Sequence, residues 1–351
     1  MSILVTGAAG FIGSNFLLEW FSQSNERIIS LDLLTYAGNL RNIKSIENHP
    51  HHHFFKGDIN DRNLVLNLLK EFQIRAVVNF AAESHVDKSI HEPKCFIEAN
   101  IMGVYNLLES TKAYWQDLNG DLKKSFRFLQ VSTDEVYGSL ELSEKPFTEK
   151  SSYQPNSPYS ASKAASDHLM RAWFHTYGLP TLVTNCCNSF GPFQYPEKLI
   201  PLSIFNALSG KSLPIYGNGK QIRDWLYVKD HCSAIREVLS KGLIGQSYNV
   251  GGWNERTNLE VVDTLCRILD ELKPKLKGSY LNQITFINDR PGHDKRYAID
   301  AKKLEQELEW KPCYTFETGL RKTVQWYLEN QTWINSVATD NYQNWIKKQY
   351  L

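Results

Sequence analysis

The first thirteen residues, Met1-Ser-Ile-Leu-Val-Thr-Gly-Ala-Ala-Gly-Phe-Ile-Gly13, decide the fold. Ile3–Thr6 has the composition of a short buried strand, and Phe11–Phe21 places apolar residues at helical spacing. A strand that passes through a glycine-rich turn into a helix is typical of the opening unit of a nucleotide-binding α/β sheet.

Three glycines shape this turn. Gly7 permits a tight bend, Gly10 leaves room for a pyrophosphate near the backbone, and Gly13 lets the helix pack closely on the sheet. The start of the helix offers free amides and a partial positive charge to phosphates. This order of elements predicts a dinucleotide site.

An acid ends the next predicted strand, Arg27–Asp32. Asp32 can accept both ribose hydroxyls of NAD and would repel the 2′-phosphate of NADP, so we predict NAD as the cofactor. Arg41 and Lys44 lie downstream and are interpreted as a solvated face. Asp58 ends the third strand, and the sequence leaves two interpretations open: an adenine contact, or the N-cap of the next helix.

Strand and helix patterns alternate through the first half of the chain. This alternation predicts an α/β fold, a Rossmann-like doubly wound parallel sheet with right-handed crossovers. The further strands are predicted at His53–Lys56, Arg75–Phe80, Phe126–Ser132 and Thr181–Cys186, and the helices at Arg62–Glu71, Asn100–Trp115 and Pro158–Tyr177.

After Asn188 the pattern is less regular, with many glycine and proline turns. Helices are predicted there at Val228–Ser240, Leu259–Leu272, Ala301–Leu308 and Thr315–Glu329. We expect a smaller interleaved α/β substrate domain made of residues 188–224 and 251–351. The NAD-binding Rossmann domain would comprise residues 1–187 plus about 225–250.

The composition excludes several classes of function. A net charge of +1 over 351 residues provides no field for nucleic acid or an anionic membrane. No apolar run is long enough to span a bilayer, so we expect a cytoplasmic protein without a membrane partner. Six cysteines are too few for a disulfide scaffold, and Cys186 and Cys187 are interpreted as packing residues. The histidines at 49 and 51–53 are interpreted as a surface loop, and no metal site is predicted.

Tyr159 and Lys163 are four residues apart at the start of a predicted helix, so they share one helix face. A lysine ammonium near a phenol favours the phenolate and lowers the tyrosine pKa. The pair can therefore take a proton from a sugar hydroxyl while a hydride leaves for the nicotinamide.

Ser132-Thr-Asp-Glu-Val-Tyr-Gly138 follows the fifth strand at the ligand edge of such a sheet. Asp134 and Glu135 can be a solvated turn, or a divided pair with one carboxyl protonated and the other ionised. A divided pair can remove one proton and deliver another, which the elimination of water requires.

At this point the chain resembles the extended short-chain dehydrogenase/reductase family, and within it the dTDP-glucose 4,6-dehydratases, over nearly its full length. The Thr133-Asp134-Glu135 triplet marks the dehydratases. The other segments that carry the resemblance are Gly7–Gly13, Asp32-Leu-Leu-Thr-Tyr-Ala-Gly-Asn39, Phe80-Ala-Ala-Glu-Ser-His-Val-Asp87, Tyr159–Lys163, Phe193-Gln-Tyr-Pro-Glu-Lys-Leu-Ile-Pro201, Arg223-Asp-Trp-Leu-Tyr-Val228 and Asp289-Arg-Pro-Gly-His-Asp294.

The resemblance implies a mechanism. Tyr159, assisted by Thr133 and Lys163, takes the C4 hydroxyl proton of dTDP-glucose while NAD accepts the C4 hydride. Glu135 then removes the C5 proton, and Asp134 protonates the departing C6 hydroxyl. The hydride returns to C6, which gives dTDP-4-dehydro-6-deoxy-glucose and restores NAD.

The resemblance also implies binding residues and a homodimer built on two of the helices, Asn100–Trp115 and Pro158–Tyr177. NAD would contact the glycine loop and Gly7, Gly10, Phe11, Ile12, Gly13, Asp32, Leu33, Leu34, Thr35, Asp58, Ile59, Phe80, Ala81, Ala82, Ser84, Ala99, Tyr159 and Lys163. The sugar nucleotide would contact Ser84, His85, Thr133, Asp134, Glu135, Asn188, Lys198, Leu199, Pro214, Tyr216, Arg223, Asn258, Arg290 and His293.

The chain departs from the family pattern at a few positions. Ala99 stands where threonine is common, and Cys187, Ser189 and Phe190 stand where serine, asparagine and tyrosine are usual. None of these changes removes a catalytic residue. The alternatives are a UDP-sugar 4,6-dehydratase, epimerase or decarboxylase of the same fold and, from a different class, a non-catalytic NAD-binding scaffold. The choice between thymidine and uridine stays open, because one methyl group is worth only about 1–3 kcal/mol.

Overall fold

The computed structural model describes residues 1–289 and 293–337. Twelve strands occur in this part of the chain: β1 Ser2–Thr6, β2 Arg27–Asp32, β3 His52–Lys56, β4 Ile74–Asn79, β5 Arg127–Thr133, β6 Thr181–Cys186, β7 Asn188–Phe190, β8 Leu213–Tyr216, β9 Ile222–Tyr227, β10 Ser247–Val250, β11 Glu255–Thr257 and β12 Ile284–Ile287. Its α-helices are α1 Phe11–Gln23, α2 Arg62–Glu71, α3 Val86–His91, α4 Pro93–Phe96, α5 Gly103–Asp117, α6 Gly120–Ser125, α7 Pro158–Tyr177, α8 Leu199–Leu208, α9 Val228–Lys241, α10 Asn258–Leu272, α11 Lys302–Leu308, α12 Phe316–Glu329 and α13 Gln331–Val337.

The main sheet has seven strands in the order β10-β6-β5-β4-β1-β2-β3, and every neighbouring pair is parallel. Its central strands are mostly apolar and buried, because both faces of the sheet are covered. Val5 packs in the core on one face, while its neighbour Leu4 packs in the core on the other. The Rossmann-like fold predicted from the sequence is confirmed.

A second apolar core lies in the C-terminal half, between helices α8, α10 and α12 and two small sheets. One sheet has the order β11-β9-β7, and the other pairs β12 with β8. Strand β10 and helix α9, in contrast, belong to the main sheet and its core. The division at residues 188–224 and 251–351 stays a prediction, and the cores do not follow it everywhere: Leu304 and Leu308 of α11 pack in the first core, and Trp225 and Tyr227 pack in the second.

Two local predictions were wrong. Strand β3 begins at His52, which is buried and hydrogen-bonded to the Ser30 hydroxyl (2.9 Å) and the Ile46 carbonyl (3.1 Å), so this histidine is not in a surface loop. The predicted helix from Asn100 instead begins as a π-helical turn, Ile97–Met102, that runs into α5. Among the described residues, no helix is both long and apolar enough to cross a membrane.

Candidate active site

The glycine loop joins β1 to α1 as the sequence predicted. Gly7 has φ +64°, and a Cβ there would lie 2.6 Å from the backbone nitrogen of Ala81. A Cβ on Gly13 would collide with the carbonyl oxygen of Gly7, so helix and loop approach as closely as only glycine allows. Gly10 precedes α1 and has no side chain that could cap it, so the first amides of the helix are available to an anion.

Asp32 is held in place at the end of β2 by two backbone amides. Its carboxylate accepts from the amides of Ala9 (2.9 Å) and Leu34 (2.7 Å). Burial raises the pKa of Asp32, and the two amide bonds act in the opposite direction. A Cβ on Gly38 would lie 2.7 Å from the carboxylate, so the loop closes tightly around it.

The first cavity of the cleft lies beside this carboxylate. Eleven residues that the sequence assigned to the cofactor line it: Gly7, Gly10, Asp32, Leu33, Thr35, Asp58, Ile59, Phe80, Ala81, Ala82 and Ala99. Leu34 is not among the lining residues, and it acts through its amide. The N-cap interpretation of Asp58 is wrong, because Asp61 caps α2 by accepting from the amide of Leu64 (3.0 Å).

Two further cavities continue the cleft. The second is lined by Phe11, Ile12, Gly13, Ser84, Tyr159 and Lys163 among the predicted residues, and it shares Gly7 and Gly10 with the first. The third is lined by His85, Glu135, Asn188, Lys198, Leu199, Pro214, Tyr216, Arg223, Asn258 and His293. Arg290 lies outside the described residues. The predicted residues that the structure describes therefore line these three adjoining cavities, except Leu34, Thr133 and Asp134, which line none of them.

Tyr159 and Lys163 lie on the first turns of α7, which begins with a capping box at Ser157. Lys163 is buried, and its ammonium donates to the carbonyl of Val131 (2.7 Å). Burial lowers the pKa of Lys163 to about 8.

The sequence predicted that Lys163 lowers the pKa of Tyr159, but in the structure the pKa of Tyr159 is raised. Burial raises the pKa of Tyr159, and the charge of Glu135 acts in the same direction. A hydrogen bond with Thr133 opposes both effects. The raised pKa favours the neutral phenol in the chain alone, and positive charge in the cleft would favour its deprotonation.

Asp134 and Glu135 occupy two different environments. Thr133 ends β5 and caps the short 3₁₀ helix Asp134–Tyr137 by accepting from the amide of Glu135 (3.3 Å). Asp134 is only 1% exposed, and its pKa is raised well above the ordinary range, mainly by burial and then by the charge of Glu135. The solvated-turn interpretation is therefore wrong. Glu135 lines the third cavity, so a neutral acid lies behind a carboxyl that faces the ligand space.

Asp167 was missed by the sequence analysis. It lies one turn after Lys163 on α7, and its Oδ2 accepts from Ser132 Oγ (2.7 Å), Tyr153 OH (3.2 Å) and Asn185 Nδ2 (3.0 Å). Burial raises the pKa of Asp167 to about 6, and the positive charge of Lys163 lowers it. The spacing of four residues from Lys163 was the signal that identifies this pair.

Basic side chains line the third cavity, as expected for an anionic ligand. The guanidinium of Arg223 is buried, lies 4.2 Å from the ring centroid of Tyr297 and donates to the carbonyl of Asp294 (3.0 Å). Lys198 donates to the carbonyl of Ser84 (2.7 Å). The backbone carbonyls that hold both cations are neutral, so these hydrogen bonds do not cancel the positive charge that the two side chains bring to the cleft.

Glu197 was also missed, although it lies inside a segment that carried the resemblance. It is buried, lines both the second and the third cavity, and accepts from the hydroxyl of Tyr36 (3.0 Å). Burial raises the pKa of Glu197 to about 7, and the neighbouring Lys198 lowers it.

The departures from the family pattern fit their surroundings. Phe190 is fully buried against the rings of Trp225 and Phe316, so a phenylalanine without a hydroxyl suits this site. The Ser189 hydroxyl pairs with Nδ1 of His231 (3.0 Å). No cluster of three or more metal-ligating side chains was found in residues 1–289 and 293–337.

Comparisons with known proteins found a matching family and similar chains. A family model described as GDP-mannose 4,6 dehydratase matches residues 4–323. A dTDP-glucose 4,6-dehydratase of Xanthomonas campestris pv. campestris is 58% identical over 341 residues, 97% of each chain. The dTDP-glucose 4,6-dehydratase 1 of Escherichia coli K12 is 53% identical over 358 residues, 100% of this chain and 99% of the other. The crystal structure of dTDP-glucose 4,6-dehydratase from Bacillus anthracis in complex with NAD has a TM-score of 0.85 and 47% identity, covering 96% of this chain and 99% of the other.

Proposed function

The chain belongs to the GDP-mannose 4,6 dehydratase family, a group of extended short-chain dehydrogenases/reductases, and on that premise we propose that it is an NAD-dependent dTDP-glucose 4,6-dehydratase. The reaction converts dTDP-glucose into dTDP-4-dehydro-6-deoxy-glucose and water. It requires oxidation at C4, loss of water across C5 and C6, and reduction at C6.

One observation carries the proposal: a buried Asp134 carboxyl next to Glu135, which lines the cleft, with both close to Tyr159. Oxidation and reduction alone need a single acid/base residue. Elimination of water also requires a second acid/base pair, in which one buried carboxyl keeps its proton and the other accepts one. An epimerase has no use for this second pair.

The cleft fits NAD. Asp32, fixed by two amides, is placed for the ribose hydroxyls, and the glycine loop with the start of α1 for the pyrophosphate. When bound, NAD would supply the hydride acceptor at C4, the hydride donor at C6 and, in its oxidised form, a positive charge in the cleft.

Each catalytic side chain then has one task. Tyr159 takes the C4 hydroxyl proton, Thr133 stabilises the phenolate by a hydrogen bond, and Lys163 supplies a positive charge nearby. Glu135 removes the C5 proton and later returns it to C5. Asp134 gives its proton to the C6 oxygen, which leaves as water. Release of the proton that Tyr159 gained and uptake of one by Asp134, both by exchange with solvent, restore the two groups. Lys198 and Arg223 bind the diphosphate, and Arg290 is proposed for the same task.

The test is incubation with dTDP-glucose and, separately, UDP-glucose, with product analysis by mass spectrometry and NMR. We expect a product 18 mass units lighter from dTDP-glucose, the mass of one water. A product of unchanged mass would indicate an epimerase, and unchanged substrate in both cases would indicate a non-catalytic scaffold. A preference for UDP-glucose would correct the nucleotide.

A variant separates the two halves of the reaction. Glu135→Gln should still oxidise C4, seen as absorbance of the reduced nicotinamide, but it should not release water. Asp117→Asn on an exposed surface is the matched control and should behave as the wild type. Full dehydratase activity of Glu135→Gln would refute the role given to Glu135.

A further inference from the structure

A stretch of chain between the two cores crosses the cleft and is fastened to the nucleotide-binding half. We call residues 192–199 the cleft segment. Near its start, the side-chain amide of Asn15 donates to the carbonyl of Pro192 (2.9 Å). Near its end, Lys198 donates to the carbonyl of Ser84 (2.7 Å). The cleft segment is thus attached to α1 and to the loop after β4.

A third attachment joins the cleft segment to the loop that carries Asp32. The Tyr36 hydroxyl donates to the carboxylate of Glu197 (3.0 Å), across 161 residues of sequence. The ring of Tyr36 lies edge-on to Tyr195 (5.5 Å between centroids), and the ammonium of Lys88 lies 4.6 Å from its centroid. The Tyr36 ring is therefore positioned from two sides, with its hydroxyl aimed at Glu197.

The Tyr36–Glu197 bond lies beside the cavity that the cofactor would occupy. The second cavity connects the glycine loop to Tyr159, and Glu197 and other residues of the cleft segment line it as well. A dinucleotide that reaches from Asp32 to Tyr159 therefore passes beneath the cleft segment. The Tyr36–Glu197 bond joins the loop of Asp32 to the cleft segment beside this cavity.

We propose that Tyr36 and Glu197 are a positioning pair whose hydrogen bond closes the cleft over NAD and slows its release; this inference rests on the proposed function. An enzyme that restores NAD in every turnover has no need to release it. The Tyr36–Glu197 bond joins the loop of Asp32 to the cleft segment. It can therefore retain the cofactor without touching the reacting atoms.

The test measures exchange of bound NAD for fluorescent etheno-NAD at about pH 8, above the pKa of about 7 for Glu197. Tyr36→Phe removes only the hydroxyl and should raise the exchange rate roughly tenfold, because the lost bond has a charged acceptor. Glu197→Gln keeps an acceptor without the charge and should raise the rate roughly threefold. The double variant should match Tyr36→Phe, since both changes break one bond.

Tyr280→Phe is the matched control, because it removes a tyrosine hydroxyl that donates to the Lys273 carbonyl (2.9 Å) far from the cleft. Its exchange rate should equal that of the wild type, whatever its thermal stability. An unchanged rate in folded Tyr36→Phe, shown by circular dichroism, would overturn the proposal while dehydration of dTDP-glucose still supports the function. A wild-type chain that binds no NAD would overturn both.

Discussion

Replacement of Asp134 by asparagine should reduce activity and increase stability at neutral pH. The side chain is 1% exposed, and its Oδ2 has no hydrogen-bond partner among the described residues. Burial therefore raises its pKa, and the folded chain keeps a proton that the unfolded chain releases above its ordinary value of 3.8. Because the folded pKa is raised, this contribution to stability is complete at low pH and is lost as the pH rises.

The magnitude follows from linkage. Each pH unit above 3.8 at which the folded carboxyl keeps its proton costs about 1.4 kcal/mol, so about 4 kcal/mol is the upper limit at neutral pH. Burial of the asparagine amide costs the variant about 1–3 kcal/mol of desolvation, which offsets part of this gain. We expect Asp134→Asn to raise the free energy of unfolding by about 1–3 kcal/mol at about pH 7 and, because only the amide cost remains there, to lower it by about 1–3 kcal/mol near pH 4. Loss of the acid should lower kcat by about 10²–10⁴-fold.

The assay is urea-induced unfolding of the NAD-saturated protein at both pH values, combined with turnover of dTDP-glucose. Asp117→Asn is the control, because the Asp117 side chain is 74% exposed and its replacement should change stability by less than about 0.5 kcal/mol. A variant that is less stable than the wild type at neutral pH, or that keeps more than about a tenth of its kcat, would refute the reasoning.

Three other outcomes are expected. Gly13→Ala should weaken NAD binding at least about tenfold in calorimetry, since its Cβ meets the carbonyl of Gly7; an unchanged affinity would contradict the loop geometry. Asp167→Asn removes a negative charge that raises the pKa of Lys163, so the fall of kcat/KM on the alkaline side, near pH 8, should move to lower pH; no movement would contradict the coupling. Light scattering at micromolar concentration should give a homodimer, twice the 40.4 kDa of one chain, and a monomer would contradict the role proposed for α5 and α7.

Elements with local signals were predicted closely from the sequence. Helix α7 begins at Pro158 and β6 spans Thr181–Cys186, as predicted, because proline at the first helical turn and a buried apolar run are local features. The π-helical turn Ile97–Met102 was not predicted, because i to i+5 hydrogen bonds leave no distinct spacing of apolar residues.

The parts of the site that depend on distant contacts were not predictable. The Tyr36–Glu197 bond joins residues 161 positions apart, and nothing in either local sequence indicates the partner. The raised pKa of Tyr159 also depends on burial that only the assembled fold produces. The tyrosine–lysine spacing predicted that both side chains face the same cavity, and the fold decides their protonation.

The central claim is that the hydride leaves C4 and returns to C6 of the same sugar. The most direct measurement is turnover of dTDP-glucose deuterated at C4, with the label located in the product by NMR. Deuterium is expected at C6 of dTDP-4-dehydro-6-deoxy-glucose. A label that returns to C4, or that is lost from the sugar, would contradict this hydride transfer.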